Sequence, residues 1–153
     1  MHRPILLALI AAAAVLATGC GGDSGGSTSA GLTKPQFIAR ADAICRKADE
    51  AQTTGLAAYS KEHPSDKSSK AGQEKMITSV GLPPVREEIA ELSKLEAPSG
   101  DQAEIDAIIK AIEEAVSKGE DEPSILLNPS TGAVAEASKL AGEYGFKVCN
   151  NPL

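Results

Sequence analysis

From Thr33 onward, apolar residues recur at steps of three and four positions, which is the period of an amphipathic helix. The first such stretch opens on Thr33-Lys-Pro-Gln36, which has the pattern of a capping box with a proline in the first turn. It ends at His63-Pro64-Ser65, because the residue before a proline disfavours helical backbone. Its apolar face holds Phe37, Ala41, Ile44, Cys45, Ala48, Gln52, Leu56 and Tyr59.

A second helical pattern covers Ser69 to Leu95 and contains an interruption. Gly81-Leu82-Pro83-Pro84 stands in its middle, and Pro84 lacks the amide that a helix interior requires. We therefore expect a kink, or two stacked helices, at Pro83-Pro84. The apolar positions are Met76, Ile77, Val80, Val85, Ile89, Leu92 and Leu95.

The third helix has the clearest pattern in the chain. Ser99-Gly-Asp-Gln102 resembles a cap, and Gly119 is predicted to stop the helix. Its apolar stripe consists of Ile105, Ile108, Ile109, Ile112, Ala115 and Val116.

The last helix is predicted to begin at Pro129, after a loop whose apolar patch 125–127 folds back onto the helices. Its apolar stripe contains Ala133, Val134, Ala137, Leu140 and Tyr144. Gly145 suits the left-handed position that follows a helix, and Phe146 suits the hydrophobic contact after it.

Oppositely charged residues lie four positions apart on the polar faces, where they are spaced to pair. The predicted pairs are Asp42–Arg46, Arg46–Glu50, Asp106–Lys110 and Glu114–Lys118.

Four amphipathic helices joined by short loops bury their stripes most simply as an antiparallel four-helix bundle. The composition agrees with an all-α fold, because aromatic residues make up only 3% of the chain and alanine fills many apolar positions. An up-down-up-down order places the first and last helices side by side.

Residues 1–19 have the parts of an export signal. Arg3 provides a positive start, Ile5–Ala17 is an uncharged run, and Ala17-Thr18-Gly19 are small enough for a signal peptidase. The uncharged run spans about 20 Å as a helix, which is too short for a hydrocarbon core of ~30 Å.

Cys20 ends this signal in the sequence "LATGC", which resembles the lipobox of bacterial lipoproteins. It departs from the usual lipobox by having Ala17, where leucine is commonest. The resemblance implies that Cys20 receives a diacylglyceryl thioether and becomes the mature N-terminus. Residues 20–32 then form a flexible Gly/Ser linker, and residues 33–153 form the helical domain. An ordinary signal peptide with an incidental cysteine is the alternative.

Cys45 and Cys149 remain once Cys20 is set aside. An even pair of cysteines in an exported protein indicates a disulfide, since that compartment is oxidising. Two free thiols or a pair of metal ligands are the alternatives, although the chain has no CxxC motif and no cluster of histidines.

Charge and residue types narrow the function classes. The net charge is −6, and Lys and Arg form no basic stripe, so a nucleic-acid partner is not expected. His63 is the one histidine outside the signal, and we expect it in a solvated loop rather than in a metal site. The one G-x-S-x-G string, residues 22–26, lies in the Gly/Ser linker rather than between a strand and a helix, and no strand precedes a glycine-rich phosphate loop. We therefore predict no catalytic residue, no cofactor and no metal.

Three charged groups have both a structural and a functional interpretation. Glu87 and Glu88 lie near a helix start, where carboxylates favour the helix dipole. The run 120–122 (Glu-Asp-Glu) can attract Ca²⁺ weakly but lacks the spacing of a dedicated site. Lys61, Lys67, Lys70 and Lys75 form a basic segment, which is either a solvated loop or a contact for anionic lipid.

At "LTKPQFIARADAICRKAD" and "AEASKLAGEYGFKVC" the chain resembles small alanine-rich lipoproteins and secreted proteins of high-GC Gram-positive bacteria. These proteins have one cysteine in the first helix and another beside a Tyr-Gly turn near the end. The resemblance implies an extracytoplasmic location and the disulfide, and it implies no activity.

The sequence therefore predicts a non-catalytic helical module that is held by its lipid on the outer face of the cell membrane and acts by binding. A carrier of a small apolar ligand within the bundle is one alternative. An enzyme that uses Glu87, Glu91 and Glu104 is another, and it requires a cleft and a raised pKa on at least one of these carboxyls.

Overall fold

The computed structural model describes residues 31–151, so the signal, Cys20 and most of the linker lie outside the described residues. The described part is all-helical, with no strand. Its α-helices are α1 (Lys34–Glu62), α2 (Lys70–Met76), α3 (Leu82–Leu92), α4 (Gln102–Asp121) and α5 (Gly132–Tyr144), and short 3₁₀ turns cover Asp66–Ser68 and Pro123–Leu127.

The bounds of α1 confirm the prediction. The side-chain carbonyl of Gln36 accepts the backbone N–H of Thr33 at 3.0 Å, and Pro35 lies in the first turn. At the other end, the N–H of His63 donates to the carbonyl of Tyr59 at 2.8 Å, directly before Pro64. Leu32, which was expected in the linker, instead packs against the core.

The predicted interruption of the second helix is confirmed, and it takes the form of a π-helical turn at Ile77–Gly81. The N–H of Leu82 donates to the carbonyl of Ile77, five residues back. Helical backbone angles continue through Met76 and Leu82, so α2, the π turn and α3 form one stretch rather than two stacked helices. Pro83 and Pro84 have no N–H to offer to the turn before them, which explains why the altered turn precedes the prolines.

The start of α4 differs from the prediction. Asp101, rather than Ser99, precedes the helix, and its backbone carbonyl accepts the N–H groups of Glu104 and Ile105 at 3.0 Å. The Asp101 carboxylate is engaged elsewhere, because it accepts the hydroxyl of Tyr144 at 2.7 Å.

The end of α4 lies at Asp121, two residues beyond the predicted stop at Gly119. Gly119 is instead the place where Leu126 packs against the helix, since a Cβ built at Gly119 would lie 2.6–2.8 Å from that side chain. The predicted folding back of the patch 125–127 is therefore confirmed, and Leu126 is buried.

α5 begins at Gly132 rather than at Pro129, and its end matches the prediction. Gly145 has φ +115°, its N–H donates to the carbonyl of Gly142, and the N–H of Phe146 donates to the carbonyl of Ala141. These bonds form a Schellman motif, which turns the chain back toward α1.

Neighbouring helices pack in chain order: α1 against the π turn and α3, α3 against α4, and α4 against α5. α1 and α5 approach each other where the rings of Phe37 and Tyr144 meet edge to face, with centroids 6.1 Å apart. The core between them is formed mainly by Phe37, Ala41, Cys45, Leu82, Val85, Ile105, Ile108, Ile112, Val134, Ala141 and Tyr144.

The ion pairs differ from the predicted ones: some connect helices, and those within one helix are Lys70–Glu74, Lys139–Glu136 and Lys139–Glu143. Among residues 31–151, none of the four predicted i,i+4 pairs has its charged atoms within 4.0 Å. Instead, Lys47 of α1 pairs with Glu91 of α3 at 2.7 Å, and Arg86 of α3 pairs with Glu120 of α4.

Candidate functional site

The Cys45–Cys149 disulfide is present, as predicted. It joins the first half of α1 to the segment after α5, with Cα atoms 5.3 Å apart and a sequence separation of 104. This segment, residues 145–151, is called the C-terminal segment below.

Asp42 holds the C-terminal segment in place and is 7% exposed. Its carboxylate accepts the backbone N–H groups of Lys147, Val148 and Cys149 at 2.9–3.3 Å. The predicted surface pair of Asp42 with Arg46 is therefore wrong. Backbone N–H groups at a chain turn need acceptors once they are buried, and this carboxylate provides them.

An aromatic cluster covers the same end of α1. Tyr144 contacts Phe37 and Phe146, and the ammonium of Lys34 lies 3.7 Å from the centre of the Tyr144 ring. Burial raises the pKa of the Tyr144 hydroxyl, and its hydrogen bond to the Asp101 carboxylate raises the pKa further. The hydroxyl therefore stays protonated and ties α5 to the start of α4.

A small cavity of about 40 Å³ lies beside the disulfide, among α1, α3, α4 and α5. We call it the disulfide cavity. Its polar lining comes from Asp49, Gln52, Glu88, Ser138 and Asn151. One water needs roughly 10–15 Å³ by this measure, so the cavity has room for a few water molecules and not for a larger ligand.

Glu88 is the carboxyl that reaches the disulfide. Its Oε1 lies 3.2 Å from Sγ of Cys45, and because that sulfur carries no proton, a hydrogen bond here needs the proton to be on Glu88. Burial raises the pKa of Glu88 to about 7, with a further contribution from the negative charge of Asp49. Burial also raises the pKa of Asp49, and the charge of Arg46 opposes that shift.

The disulfide argues against the alternative in which Cys45 and Cys149 are metal ligands. The Sγ atoms of Cys45 and Cys149 and a carboxylate oxygen of Glu88 lie within 4.8 Å of one another. Cysteine binds metals as a thiolate, and two sulfurs bonded to each other have no thiolate to offer. The disulfide interpretation is therefore favoured over a metal-ligand pair.

A second, larger cavity of about 130 Å³ lies where α1 passes the π turn and the 3₁₀ turn 123–127. We call it the π-turn pocket. It is lined by Gln52, Leu56, Ile77, Gly81, Leu82 and Leu126. Nε2 of Gln52 donates to the carbonyl of Gly81 at 3.2 Å, and the side chain of Gln52 also borders the disulfide cavity.

The three carboxylates of the enzyme hypothesis lie outside both cavities. Glu87 and Glu104 are exposed. Glu91 is bound to Lys47, whose hydrogen bond and charge lower the pKa of that carboxyl. The enzyme hypothesis left out Glu88, a carboxyl that lines the disulfide cavity. Its spacing of three residues from Val85 and four from Leu92 was the signal that it lies on their buried face.

Two other candidates from the sequence, His63 and the run 120–122, lie at the surface. His63 is exposed after the end of α1, with its ring centroid 4.4 Å from that of Tyr59, as expected for a loop residue. In the run 120–122, Glu120 pairs with Arg86, and Glu122 accepts the hydroxyl of Ser124 at 3.1 Å.

The basic segment Lys61–Lys75 lies at the end of α1 far from the linker. The 29 residues of α1 separate its two ends by about 43 Å. Two of its lysines already have acidic neighbours: Lys75 lies 3.8 Å from Asp66 and Lys70 lies 3.6 Å from Glu74. Contact of this segment with anionic lipid stays a prediction.

No protein-family model matches the chain, and no curated protein and no solved structure matches it. Within residues 31–151, none of the helices is both long enough and apolar enough to cross a membrane. The residues themselves therefore carry the functional argument.

Proposed function

We propose that this protein is a lipoprotein held on the extracytoplasmic face of the cell membrane through Cys20, and that its helical domain acts by binding rather than by catalysis. The Cys45–Cys149 disulfide carries the proposal. Structural disulfides persist in oxidising compartments, which agrees with export. The chain has three cysteines, so this bond leaves Cys20 as the one cysteine available for the lipid.

The physical reason for two acyl chains is the strength of anchoring. One myristoyl-sized chain binds a membrane only reversibly, with K on the order of 10⁴ M⁻¹, whereas two chains hold a protein stably. The Gly- and Ser-rich sequence between Cys20 and α1 has a composition typical of tethers that hold a domain close to a surface.

We further propose that the helices form an antiparallel four-helix bundle in which α2, the π turn and α3 together serve as the second helix. The packing of neighbours in chain order and the contact of Phe37 with Tyr144 support this arrangement. The disulfide and Asp42 then bring the C-terminal segment back to the first helix.

A non-catalytic role is supported by the placement of the carboxylates. Glu88 has the raised pKa that acid–base catalysis uses, yet the cavity beside it has room for only a few waters. The π-turn pocket is larger and mostly apolar, which favours a second candidate function, the carriage of a small apolar ligand.

The anchor is tested on protein taken from the membranes of its own host. We expect mass spectrometry to find Cys20 as the first residue, bearing a diacylglyceryl group, and to find Cys45 joined to Cys149. Cys20→Ser should remove the protein from the membrane fraction. The matched control is the double variant Cys45→Ser/Cys149→Ser, whose surviving molecules should stay in the membrane fraction. An unmodified thiol at Cys20 in the mature protein would refute the proposal.

A further inference from the structure

We propose that the π-turn pocket is a binding site for a small apolar molecule of about the size of a benzene ring. This inference deepens the binding role proposed above by naming a site and a ligand class. It does not depend on the lipid anchor, which has a separate experiment.

The volume and lining of the pocket indicate the ligand. A dry cavity of about 150 Å³ lined by Leu, Ile and Phe binds benzene or xenon in another protein, and the π-turn pocket measures about 130 Å³. Five of its six lining residues have no polar side-chain atom, the exception being Gln52. A buried water needs two to four polar partners, so this lining suits an apolar molecule better than water.

The one polar side chain in the lining is already engaged. Nε2 of Gln52 donates to the carbonyl of Gly81 across the gap between α1 and the π turn. This bond satisfies one N–H of the amide without a ligand, so an apolar molecule can fill the space beside it without leaving that donor unpaired.

The fold creates the pocket through the same π turn that accommodates the prolines. α1 and the π turn approach closely at Gly55, where an added Cβ would lie 2.7 Å from Val80. One turn earlier on α1, Gln52 and Gly81 face each other, and Gly81 has no side chain to fill the space. π turns within helices are frequent at functional sites, which is consistent with a role for this one.

A route to the pocket exists at its outer side. Leu56, Ile77 and Gln52 are each partly exposed, whereas Leu82 and Leu126 form its buried floor. A ligand can therefore enter when the outer side chains change rotamer. The disulfide cavity offers no comparable site, because it has about a third of the volume and contains two carboxyls.

Thermal unfolding of the purified mature protein, disulfide intact, tests the site with benzene and toluene as probes. At ten times its dissociation constant, a ligand that binds only the folded state should raise the Tm of a domain of this size by about 5–6 °C. No rise with either probe up to its solubility limit would overturn the proposal.

Two variants should weaken the effect by filling the pocket. In Gly81→Ala the new methyl would meet Nε2 of Gln52 and Cγ2 of Ile77 at an ordinary 3.6 Å, so the protein should fold and bind benzene at least threefold more weakly. Leu56→Phe adds more volume and should abolish the rise. Gly142→Ala is the matched control, because its new methyl would meet Asn150 at 3.6 Å, outside the pocket, and benzene affinity should be unchanged.

A direct measurement locates the ligand even if Leu56→Phe fails to fold. Intermolecular NOEs should connect benzene protons with the methyl groups of Ile77, Leu82 and Leu126 in the unmodified protein. A benzene effect that is undiminished in Gly81→Ala and gives no such NOEs would place the binding elsewhere and overturn the proposal. Either result leaves the mass-spectrometric test of the anchor unaffected.

Discussion

Two acidic side chains turn inward from α1 and α3, and their surroundings differ. Asp42 is surrounded by backbone N–H groups of the C-terminal segment, which satisfy its charge. Glu88 faces a disulfide and a second carboxyl, Asp49, so its charged form is opposed by its surroundings. One residue therefore contributes to stability, and the other makes stability depend on pH.

We expect the free energy of unfolding to fall as pH rises from about 4.5 to above 7, because of Glu88. The pKa of Glu88 is about 7 in the folded state and near 4.5 in the unfolded state, so over this range the folded state retains a proton that the unfolded state releases. The loss of unfolding free energy is complete once the pH exceeds the pKa of Glu88 in the folded state, and it amounts to roughly 3 kcal/mol. Glu88→Gln should abolish it, making the variant more stable than the unmodified protein at pH 8 and similar to it at pH 4.5.

Urea unfolding at a series of pH values measures this difference. Glu87→Gln, at the exposed neighbouring position, serves as the control and should retain the pH dependence of the unmodified protein. Equal stability of Glu88→Gln and the unmodified protein at pH 8 would contradict the assignment of a raised pKa to Glu88.

Asp42→Ala should destabilise the protein by about 3–5 kcal/mol, since it removes a buried carboxylate and leaves three backbone N–H groups without their acceptor. Asp106→Ala is a suitable control, because Asp106 is exposed and accepts a hydrogen bond from Gln102 on the same helix. That control should change stability by less than about 0.5 kcal/mol in the same denaturation assay. A loss below about 1 kcal/mol for Asp42→Ala would show that the C-terminal segment is held by other contacts.

At the scale of single elements, the helices lie where the spacing of apolar residues predicts them. The ends of the helices were less predictable, because several nearby residues compete for the role of cap or stop. The sequence Ser99–Gln102 offers two capping residues, and Asp101 takes the helix start while its carboxylate binds the hydroxyl of Tyr144, 43 positions away. Gly119 resembles a helix stop, but the packing of Leu126 against it is what requires a glycine.

Gly119→Ala should therefore destabilise the protein, even though alanine is the better helix former by about 1 kcal/mol. Its Cβ would overlap the Leu126 side chain, and such overpacking costs about 1–3 kcal/mol. Gly142→Ala should instead stabilise the protein by about 0.5–1 kcal/mol, because its Cβ meets only ordinary contacts. Thermal melts of the two variants should shift in opposite directions, and equal shifts would contradict the proposed role of Leu126.

At the scale of the whole molecule, the ends of the domain are joined three times: by the disulfide, by Asp42 and by the aromatic cluster around Tyr144. All three connect the first half of α1 to residues 144–149. The far end of α1 relies on weaker contacts, among them the hydrogen bond from Tyr59 to Asp66 at 2.8 Å. We therefore expect local unfolding to begin around residues 60–70, where the chain turns from α1 to α2.

Removal of the disulfide by Cys45→Ala/Cys149→Ala should lower the free energy of unfolding by about 2–5 kcal/mol. The bond closes a loop with a sequence separation of 104, so most of its effect is a restriction of the unfolded chain. Urea unfolding of the double variant and of the unmodified protein under non-reducing conditions measures the loss, and the unmodified protein under reducing conditions should match the variant. Identical stabilities with and without the bond would contradict its structural role.

The spacing of residues within each helix was sufficient to predict the all-helical fold, the inward stripes and the Gly145 turn, since these depend on interactions within a few positions of the chain. The pairing of Cys45 with Cys149 was also predictable, because setting Cys20 aside leaves one pair of cysteines and a predicted export signal favours a disulfide.

Tertiary structure alone decided which carboxylates are buried and where the cavities lie. Asp42 lies two positions after the exposed Arg40, and Glu88 directly follows the exposed Glu87. Only the packing of a distant segment determines that Asp42 meets N–H groups while Glu88 meets a sulfur. The π-turn pocket likewise depends on tertiary packing, because α1, the π turn and the 3₁₀ turn 123–127 meet there without filling the space between them. Local spacing specifies which face of a helix turns inward, whereas solvation, charge and empty volume depend on what packs against that face.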